Sequence, residues 1–377
     1  MSHDLLPPAP LRLGGRPLPM VGPLRLYTCG VTPYAVTHLG HAATFVWVDV
    51  LARVARHASM EVVVTRNVTD VDDVLTEAAR AANTPYDEYA AMQQYRFDHD
   101  MSALAVRRPD HEPRAHRHIG SVVRLAQALI EAGRAYEVDG TVFFDGTQGA
   151  DGGDIATAHG LDRAAALVAI EEFGGSGLPG QRNPLDLPVW RASGDGDPAW
   201  PSPWGAGRPG WHAECTAMVL DTYGSSIDVH AGGRDLAFPH HAYEAAQAEA
   251  VTGVAPFARS WMHVGTVRIN GEKMAKSTGN LVLVEDLLAQ HRAAAVRLLI
   301  LDRPWAADWD YSPADLTAAE GRLDALYAAA GRRGDEAGEA EIMRALVDDL
   351  DVPRALGVAM ESGGSAARTA VHVLGLG

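Results

Sequence analysis

The sequence predicts an α/β protein that begins with a nucleotide-binding unit. Residues 24–30 (LRLYTCG) form a short strand pattern that ends at glycine, and residues 60–66 (MEVVVTR) form a second one. Between them, residues 38–57 carry apolar side chains at helical spacing. A strand, a loop, a helix and another strand in this order are typical of a parallel sheet of the Rossmann type.

The rest of the chain predicts an insertion, a return to the α/β pattern and a helical end. Residues 140–196 are rich in glycine, and we expect them to be irregular. The other expected elements are helices at 86–104, 116–132, 213–223 and 240–251, strands at 227–233 and 261–269, and final helices at 284–301, 313–330 and 339–350.

These patterns predict three structural units. A Rossmann-type catalytic domain is split between residues 1–75 and 205–284. A connective subdomain is inserted at 76–204, and a C-terminal helical bundle covers 285–377.

Composition narrows the classes of function. Hydrophobic residues make up 47% of the chain and charged residues 21%, and no apolar run reaches the roughly 20 residues of a membrane helix. The N-terminus lacks the pattern of a signal peptide, so we expect a cytoplasmic protein, as a monomer or a homodimer. A net charge of −16 disfavours nucleic acid as a partner, although a local basic patch stays compatible with it.

Cysteine and lysine are both scarce. The only cysteines are Cys29 and Cys215, and the only lysines are Lys273 and Lys276, against thirty arginines among the 32 basic residues. Arginine thus replaces lysine elsewhere, and the two remaining lysines lie three positions apart in one segment. The alternative is that these two lysines survive by chance on a solvated loop, but the distinctive segment around them favours a functional role.

Two short motifs suit the binding of a nucleoside triphosphate. In THLGH (37–41), His38 and His41 lie at the start of the predicted helix, where free N–H groups attract phosphate, and Gly40 permits a close approach. In NGEKMAKSTGN (270–280), Lys273 and Lys276 lie on a glycine-bounded loop, where they suit a pyrophosphate leaving group. Either motif alone is a weak signal.

Together the two motifs resemble the signatures of class I aminoacyl-tRNA synthetases, HIGH and KMSKS, with Ala275 in place of the middle serine. The resemblance implies a class I synthetase catalytic domain that binds ATP between the motifs. It makes His38, His41, Lys273 and Lys276 the expected catalytic residues. Magnesium is expected to share the charge of the phosphates.

Four further segments resemble the cysteinyl-tRNA synthetases and their relatives: CGVT (29–32), NVTDVDD (67–73), RPGWHAEC (208–215) and GGRDLAFPHH (232–241). By spacing alone, two buried thiols and a core histidine would be the better interpretation. The resemblance implies instead that Cys29, Cys215 and His240 bind zinc. Glu244 lies four residues after His240, on the same helix face, and is the candidate fourth ligand.

The same resemblance implies an adenylate-binding set, in which Asp235 would hold the cysteine ammonium or the ribose. A helix cap is an equally good interpretation of Asp235. The expected set is Gly30, Thr32, Thr44, Asn67, Thr69, Trp211, Gly233, Asp235, Val267 and Ser277.

The cysteinyl-tRNA synthetases and their relatives differ in the acceptor of the activated cysteine. The acceptor is either tRNA or, in mycothiol biosynthesis, the amine of glucosaminyl-inositol. CGVTPY (29–34), GHAAT (40–44) and the absence of an anticodon-binding extension resemble the mycothiol-pathway ligases. Three features depart from those ligases. Residues 172–177 read EFGGSG where the ligases read ERGGDP, and residues 183–192 (NPLDLPVWRA) look more like the synthetases. Glu244 also matches a glutamate that the synthetases use as a zinc ligand and that the ligases tend to lack.

We therefore expect ATP-dependent activation of L-cysteine and its transfer to a small amine, first of all glucosaminyl-inositol. Three alternatives stay open: a paralogous ligase for another amine, a cysteine–tRNA ligase without the extension, and a domain that has lost catalysis.

Overall fold

The computed structural model describes residues 10–18, 20, 22–34, 36–149, 153–173, 175, 177–274, 279–334 and 337–377. Its strands are β1 (Arg12–Leu13), β2 (Arg16–Pro17), β3 (Leu24–Val31), β4 (Val62–Val68), β5 (Ala135–Val138), β6 (Thr141–Phe144), β7 (Leu187–Ala192), β8 (Trp200–Ser202), β9 (Gly205–Pro209), β10 (Ile227–Gly233), β11 (Ala258–Val264), β12 (Val267–Ile269), β13 (Glu272–Lys273) and β14 (Trp309–Asp310).

Its helices are α1 (Leu39–His57), α2 (Asp73–Ala81), α3 (Tyr86–Ala103), α4 (Ile119–Glu131), α5 (Ile155–Ala158), α6 (Arg163–Glu172), α7 (Trp211–Tyr223), α8 (His240–Thr252), α9 (Val284–Gln290), α10 (Ala293–Leu301), α11 (Pro313–Ala330), α12 (Ala337–Val347), α13 (Val352–Ser362) and α14 (Gly364–Leu374). None of these helices is long and apolar enough to cross a membrane.

A parallel sheet of four strands, in the order β11-β10-β3-β4, confirms the predicted α/β fold. Strand β3 is mostly buried along its length, because helices cover both faces of a parallel sheet. The carboxyl ends of all four strands lie at one edge, where open α/β sheets bind their ligands. Helix α1 packs its apolar face against this sheet and begins after His38.

The insertion is more regular than the sequence predicts. Residues 140–196 contain β6, α5, α6 and β7, and an antiparallel sheet runs in the order β5-β6-β7-β9-β8. The glycines of residues 140–196 lie between these elements and not within them. Outside that range, β9 carries Gly207, where a Cβ would lie 2.3 Å from the indole nitrogen of the buried Trp190, so only glycine fits. Strand β9 also carries this sheet beyond the boundary expected at residue 204.

Two predicted elements are each divided in the structure. The helix expected at 284–301 consists of α9 and α10, because the backbone of His291 is extended (φ −132°, ψ 155°). The strand expected at 261–269 consists of β11 and β12, and β12 belongs to a separate small sheet with β13 and β14. Helices α13 and α14 complete the helical end.

A buried ion pair joins the helical end to the catalytic unit. Arg297 of α10 is fully buried and donates to Asp49 Oδ2 of α1 at 2.5 Å. Its other nitrogens donate to the carbonyl groups of Leu104 and Leu374. Because every polar partner is supplied internally, this guanidinium ties α1, the end of α3 and the end of α14 together.

Candidate active site and metal centre

Four buried side chains that are distant in sequence converge at the carboxyl edge of the parallel sheet. Cys29 lies near the carboxyl end of β3, Cys215 lies in α7, and His240 and Glu244 lie on α8. The two Sγ atoms are 4.0 Å apart, and Cys29 Sγ is 3.3 Å from Glu244 Oε1. Glu244 Oε1 is also 3.0 Å from His240 Nε2, as expected for residues one helical turn apart.

The four side chains fit a metal ion. One donor atom from each can be chosen so that all lie within 4.8 Å of one another. The His240 Nε2 atom is buried and, among the described residues, has no hydrogen-bond partner, although Glu244 Oε1 lies 3.0 Å away. Burial raises the pKa of Cys29 and of Cys215, so an adjacent cation is what would favour both thiolates.

A second group, Cys29, His230, His241 and Glu244, meets the same distance criterion. It shares two members with the first group but has one sulfur instead of two. His230 Nε2 is 2.9 Å from Glu244 Oε2, which suits a partner that orients the carboxylate. His230 belongs to none of the sequence motifs. Its position in the middle of the expected strand 227–233 is the only signal that could have identified it.

Neighbouring side chains hold the four candidates in place. The Asn67 amide donates to Cys215 Sγ at 2.8 Å, and its oxygen accepts the Gly30 N–H at 2.5 Å. The Trp211 ring stacks on the His240 ring, with centroids 3.9 Å apart. Asn67, Gly30 and Trp211 were expected at an adenylate site. The structure places Asn67 and Trp211 directly against the metal candidates.

The HLGH motif forms the start of α1. The His38 side chain caps the helix by accepting the His41 N–H at 3.4 Å, and the two rings stack with centroids 3.7 Å apart. Burial lowers the pKa of His38 to about 2 and that of His41 to about 4. Both imidazoles are therefore neutral at physiological pH and would contact phosphate as N–H donors rather than as cations.

A backbone bridge brings the two signature motifs together. Leu39 N donates to the Val282 carbonyl at 2.9 Å, and Val284 N donates to the Thr37 carbonyl at 3.0 Å. The segment after the lysine loop is thereby fixed beside the start of α1. A Cβ on Gly40 would lie 3.0 Å from the His38 ring and 3.5 Å from Met274, so glycine keeps this junction closely packed.

Lys273 is held by two carboxylates. Its Nζ is 3.0 Å from Asp235 Oδ2 and 2.8 Å from Glu172 Oε1, and Phe173 lies beside it. Burial lowers the pKa of Lys273, but Asp235 and Glu172 outweigh this effect and raise it, so the lysine stays charged. Lys276 and Ser277, the other residues expected in this loop, lie outside the described part of the chain.

The remaining expected adenylate residues line the same edge. Thr32 and Thr69 share a hydrogen bond of 2.7 Å between their hydroxyl groups. Thr44 faces Gly233 across the gap between α1 and β10, and Val267 is buried in β12. The structure therefore places three pairs of the expected set side by side, namely Gly30 with Asn67, Thr32 with Thr69, and Thr44 with Gly233. An adenylate-binding role for the set stays a prediction.

Comparison with known proteins agrees with this arrangement. The family model for the tRNA synthetases class I (C) catalytic domain matches residues 20–321. The cysteine–tRNA ligase of Alkalilimnicola ehrlichii is 42% identical over 352 residues, which cover 90% of this chain and 74% of that protein. The L-cysteine:1D-myo-inositol 2-amino-2-deoxy-alpha-D-glucopyranoside ligase of Parafrankia sp. is 42% identical over 348 residues, which cover 91% and 78%.

The ligase of the same description from Streptomyces griseus is 42% identical over 350 residues, which cover 91% of this chain and 85% of that protein. Among solved structures, the Mycobacterium tuberculosis methionyl-tRNA synthetase with methionyl-adenylate has a TM-score of 0.60 at 19% identity and covers 94% of this chain and 82% of its own. At that identity the likeness shows the fold alone. The chain belongs to the family of the class I (C) tRNA synthetase catalytic domain.

Proposed function

We propose that this protein is an ATP-dependent, AMP-forming ligase that activates L-cysteine and transfers it to the amine of glucosaminyl-inositol. One observation carries the proposal. A sulfur-containing metal candidate, formed by Cys29, Cys215, His240 and Glu244, lies at the same sheet edge as the two imidazoles and Lys273. A thiol-binding centre beside a phosphate-binding centre suits an amino acid with a sulfur side chain and a carboxylate to be activated.

Zinc is the metal that this donor set suits best, because thiolate and imidazole ligands in a tetrahedral set are typical of Zn²⁺. When bound, zinc would supply an attraction for a thiolate that a serine hydroxyl cannot match. A pocket that relied on size alone would separate such similar side chains poorly. Asn67 and Trp211 would orient Cys215 and His240 for this purpose.

The first half-reaction forms a cysteinyl adenylate. A carboxylate oxygen of cysteine attacks the α-phosphorus of ATP, and the bond from that phosphorus to the bridging oxygen of pyrophosphate breaks. His38 and His41 donate N–H groups to the phosphates, and Lys273 and Lys276 stabilise the charge that develops on pyrophosphate. Magnesium would share that charge.

The second half-reaction forms the amide. The amine nitrogen of the acceptor attacks the acyl carbon, the bond from that carbon to the AMP oxygen breaks, and one amine proton passes to solvent. The 42% identity to ligases from Parafrankia and Streptomyces griseus that are named for this acceptor supports glucosaminyl-inositol. The net charge of −16 favours a small acceptor over a polyanion.

A cysteine–tRNA ligase is the second candidate, favoured by the equal identity to the Alkalilimnicola enzyme. A ligase for another small amine is the third, because residues 172–177 read EFGGSG, with Phe173 where the mycothiol-pathway pattern ERGGDP has arginine. We also propose the three-unit division of the chain, with the insertion extended to Pro209 because β9 pairs with β7 and β8.

An acceptor competition tests the function. The enzyme, ATP and labelled cysteine are offered glucosaminyl-inositol, a panel of other amines and tRNA, and labelled products are quantified. We expect labelled amide with glucosaminyl-inositol and none on tRNA. Preferential labelling of tRNA, together with strongly salt-sensitive RNA binding, would establish the second candidate. Absence of cysteine-dependent ATP–pyrophosphate exchange would contradict all three.

A further inference from the structure

The buried side chain of Arg66 carries an N–H group that no neighbouring group accepts. Arg66 lies in β4 and is only 5% exposed. One of its terminal nitrogens donates to Asp98 at 2.7 Å and to Glu112 at 2.6 Å. Its Nε atom is buried and has no hydrogen-bond partner among the described residues. A buried donor without an acceptor is costly, so an acceptor from outside the chain is expected here.

Arg66 lines a small cavity of about 30 Å³ between α1, β4 and the segment that follows α3. A buried water needs roughly 10–15 Å³, so the cavity has room for one or two groups of that size and excludes a nucleotide. Part of its wall is apolar and includes the Phe45 ring. Among the described residues, its charged lining consists of one carboxyl group and four arginines: Asp49, Arg56, Arg66, Arg107 and Arg108.

The carboxyl group of Asp49 is shared among three arginines. It lies 2.6 Å from Arg53, 3.5 Å from Arg107 and 2.5 Å from Arg297. Partial burial lowers the pKa of Arg107, and the charges of Arg53 and Arg56 lower it further, although Asp49 opposes them. The cations on this side of the cavity therefore outnumber the anions that compensate them.

The remaining arginines add to this excess of positive charge. Arg56 pairs with Asp110 at 3.2 Å, and Arg108 forms no ion pair in the described part of the chain. With the partners of Arg66 included, six arginines lie at or beside the cavity against four carboxyl groups. The six are Arg53, Arg56, Arg66, Arg107, Arg108 and Arg297, and the four are Asp49, Asp98, Asp110 and Glu112. The whole protein, in contrast, carries a net charge of −16.

The cavity lies on the opposite face of the parallel sheet from the metal candidate. Arg66 and Asn67 are consecutive in β4, so their side chains point to opposite faces. Asn67 donates to Cys215 of α7, whereas the Arg66 guanidinium lies 6.0 Å from the centre of the Phe45 ring of α1. The cavity is therefore separate from the proposed chemistry, and an inference about it does not depend on the proposed function.

We propose that this cavity binds one small monovalent anion such as chloride. The Arg66 Nε–H group donates a hydrogen bond to the anion, and Arg56, Arg107 and Arg108 supply the surrounding positive charge. A water molecule also accepts an N–H, but it leaves the excess of positive charge uncompensated. The bound anion links α1, β4 and residues 106–109 and so stabilises the folded chain.

Thermal unfolding of the full chain tests the proposal. Potassium chloride replaces potassium gluconate at constant ionic strength, so that general screening stays the same and only the size of the anion changes. We expect the Tm to rise with chloride and to saturate, as for a ligand that binds the folded state. The chloride dissociation constant follows from this dependence.

Two variants address the arginines of the cavity. Arg66→Lys keeps the charge but lacks the Nε–H group, and we expect a dissociation constant about ten- to a hundredfold higher, typical of a lost hydrogen bond to a charged group. Arg108→Gln removes an exposed, unpaired charge, so it should fold even if Arg66→Lys does not. We expect it to raise the dissociation constant about two- to fivefold, as for other exposed charge interactions.

Arg96→Gln is the matched control. Arg96 is an exposed arginine of α3 that, like Arg108, forms no ion pair in the described part of the chain, but it does not line the cavity. This variant should respond to chloride as the wild type does. It separates the cavity from the general effect of removing one positive charge.

Crystals grown with bromide in place of chloride locate the anion directly. We expect an anomalous scattering peak within hydrogen-bond distance of Arg66 Nε. Absence of this peak, or equal stabilisation by chloride in the wild type and in Arg108→Gln, would mean that the cavity holds water only. Either result would overturn the inference and leave the proposed function untouched.

Discussion

The Sγ atoms of Cys29 and Cys215 lie 4.0 Å apart although 186 residues separate them in sequence. One thiol lies near the carboxyl end of a strand of the parallel sheet, and the other lies in a helix that follows the insertion. The chain thus uses its two cysteines at a single point, and α8 supplies His240 and Glu244 to the same point. A structural role for either thiol alone would not require this convergence.

Replacing either cysteine should remove the metal. In Cys29→Ser and Cys215→Ser, we expect metal affinity to fall by at least about 100-fold. Losing only the hydrogen-bond partner of a metal ligand already costs up to about that much, and losing the ligand itself should cost more. Cysteine-dependent pyrophosphate exchange should be abolished. Metal content is measured by elemental analysis after dialysis, with the exposed His99→Gln as control. Full metal content and full exchange in Cys29→Ser would refute the metal assignment.

Loss of either lysine of the loop should slow adenylation. Lys273→Ala and Lys276→Ala are each expected to lower its rate by about two orders of magnitude, as for other lost charge-stabilising donors. The measurement is single-turnover formation of the adenylate. Arg268→Gln is the control, because Arg268 lies on the neighbouring strand and pairs with Asp308 instead. Unchanged rates in both lysine variants would rule out the role given to this loop.

Glu172 should compete with ATP for Lys273. The ion pair of 2.8 Å is partly exposed, so its free energy is small. Glu172→Gln is expected to lower the KM for ATP about two- to fivefold, in line with the strength of such pairs. The matched control is the adjacent exposed Glu171→Gln, which should leave this KM unchanged. An increased KM for ATP in Glu172→Gln would show that Glu172 assists binding rather than opposing it.

Removing the guanidinium of Arg297 should destabilise the whole chain. Arg297→Met leaves two buried carbonyl groups without their donor, while Asp49 keeps Arg53 and Arg107 as partners. Because each unsatisfied buried group costs about 1–3 kcal/mol, we expect a loss of at least about 2 kcal/mol in the free energy of unfolding. Denaturant unfolding measures it. Arg12→Met, which breaks an exposed ion pair with Asp348, should cost no more than about 1 kcal/mol. Equal losses in the two variants would contradict the buried link.

Acid should destabilise the protein partly through His263. Burial lowers the pKa of His263 to about 4, so the folded state keeps it neutral while the unfolded chain protonates it near the ordinary histidine pKa of 6.5. Its contribution to stability is therefore full above pH 6.5 and is lost as the pH falls towards 4. His263→Gln should lose less stability than the wild type between pH 6.5 and 4, as measured by denaturant midpoints. Parallel pH profiles would contradict this.

The sequence by itself determined the local elements and the family. Apolar periodicity predicted β10 and α11 with their observed bounds, because a strand or a helix with one buried face leaves a regular pattern in the chain. It did not predict the antiparallel sheet of the insertion. The glycines of residues 140–196 suggested irregular chain, but they lie between the elements, and β6 and β7 contain none of them.

The tertiary structure alone decided which side chains meet. The sequence motifs suggested Cys29, Cys215, His240 and Glu244 through family resemblance, but only the fold places their donor atoms within 4.8 Å. It also paired Asp235 with Lys273 and left Glu214 buried without a partner, which no local pattern could show. Distances between residues far apart in sequence depend on how strands and helices pack, and that packing is a property of the whole chain.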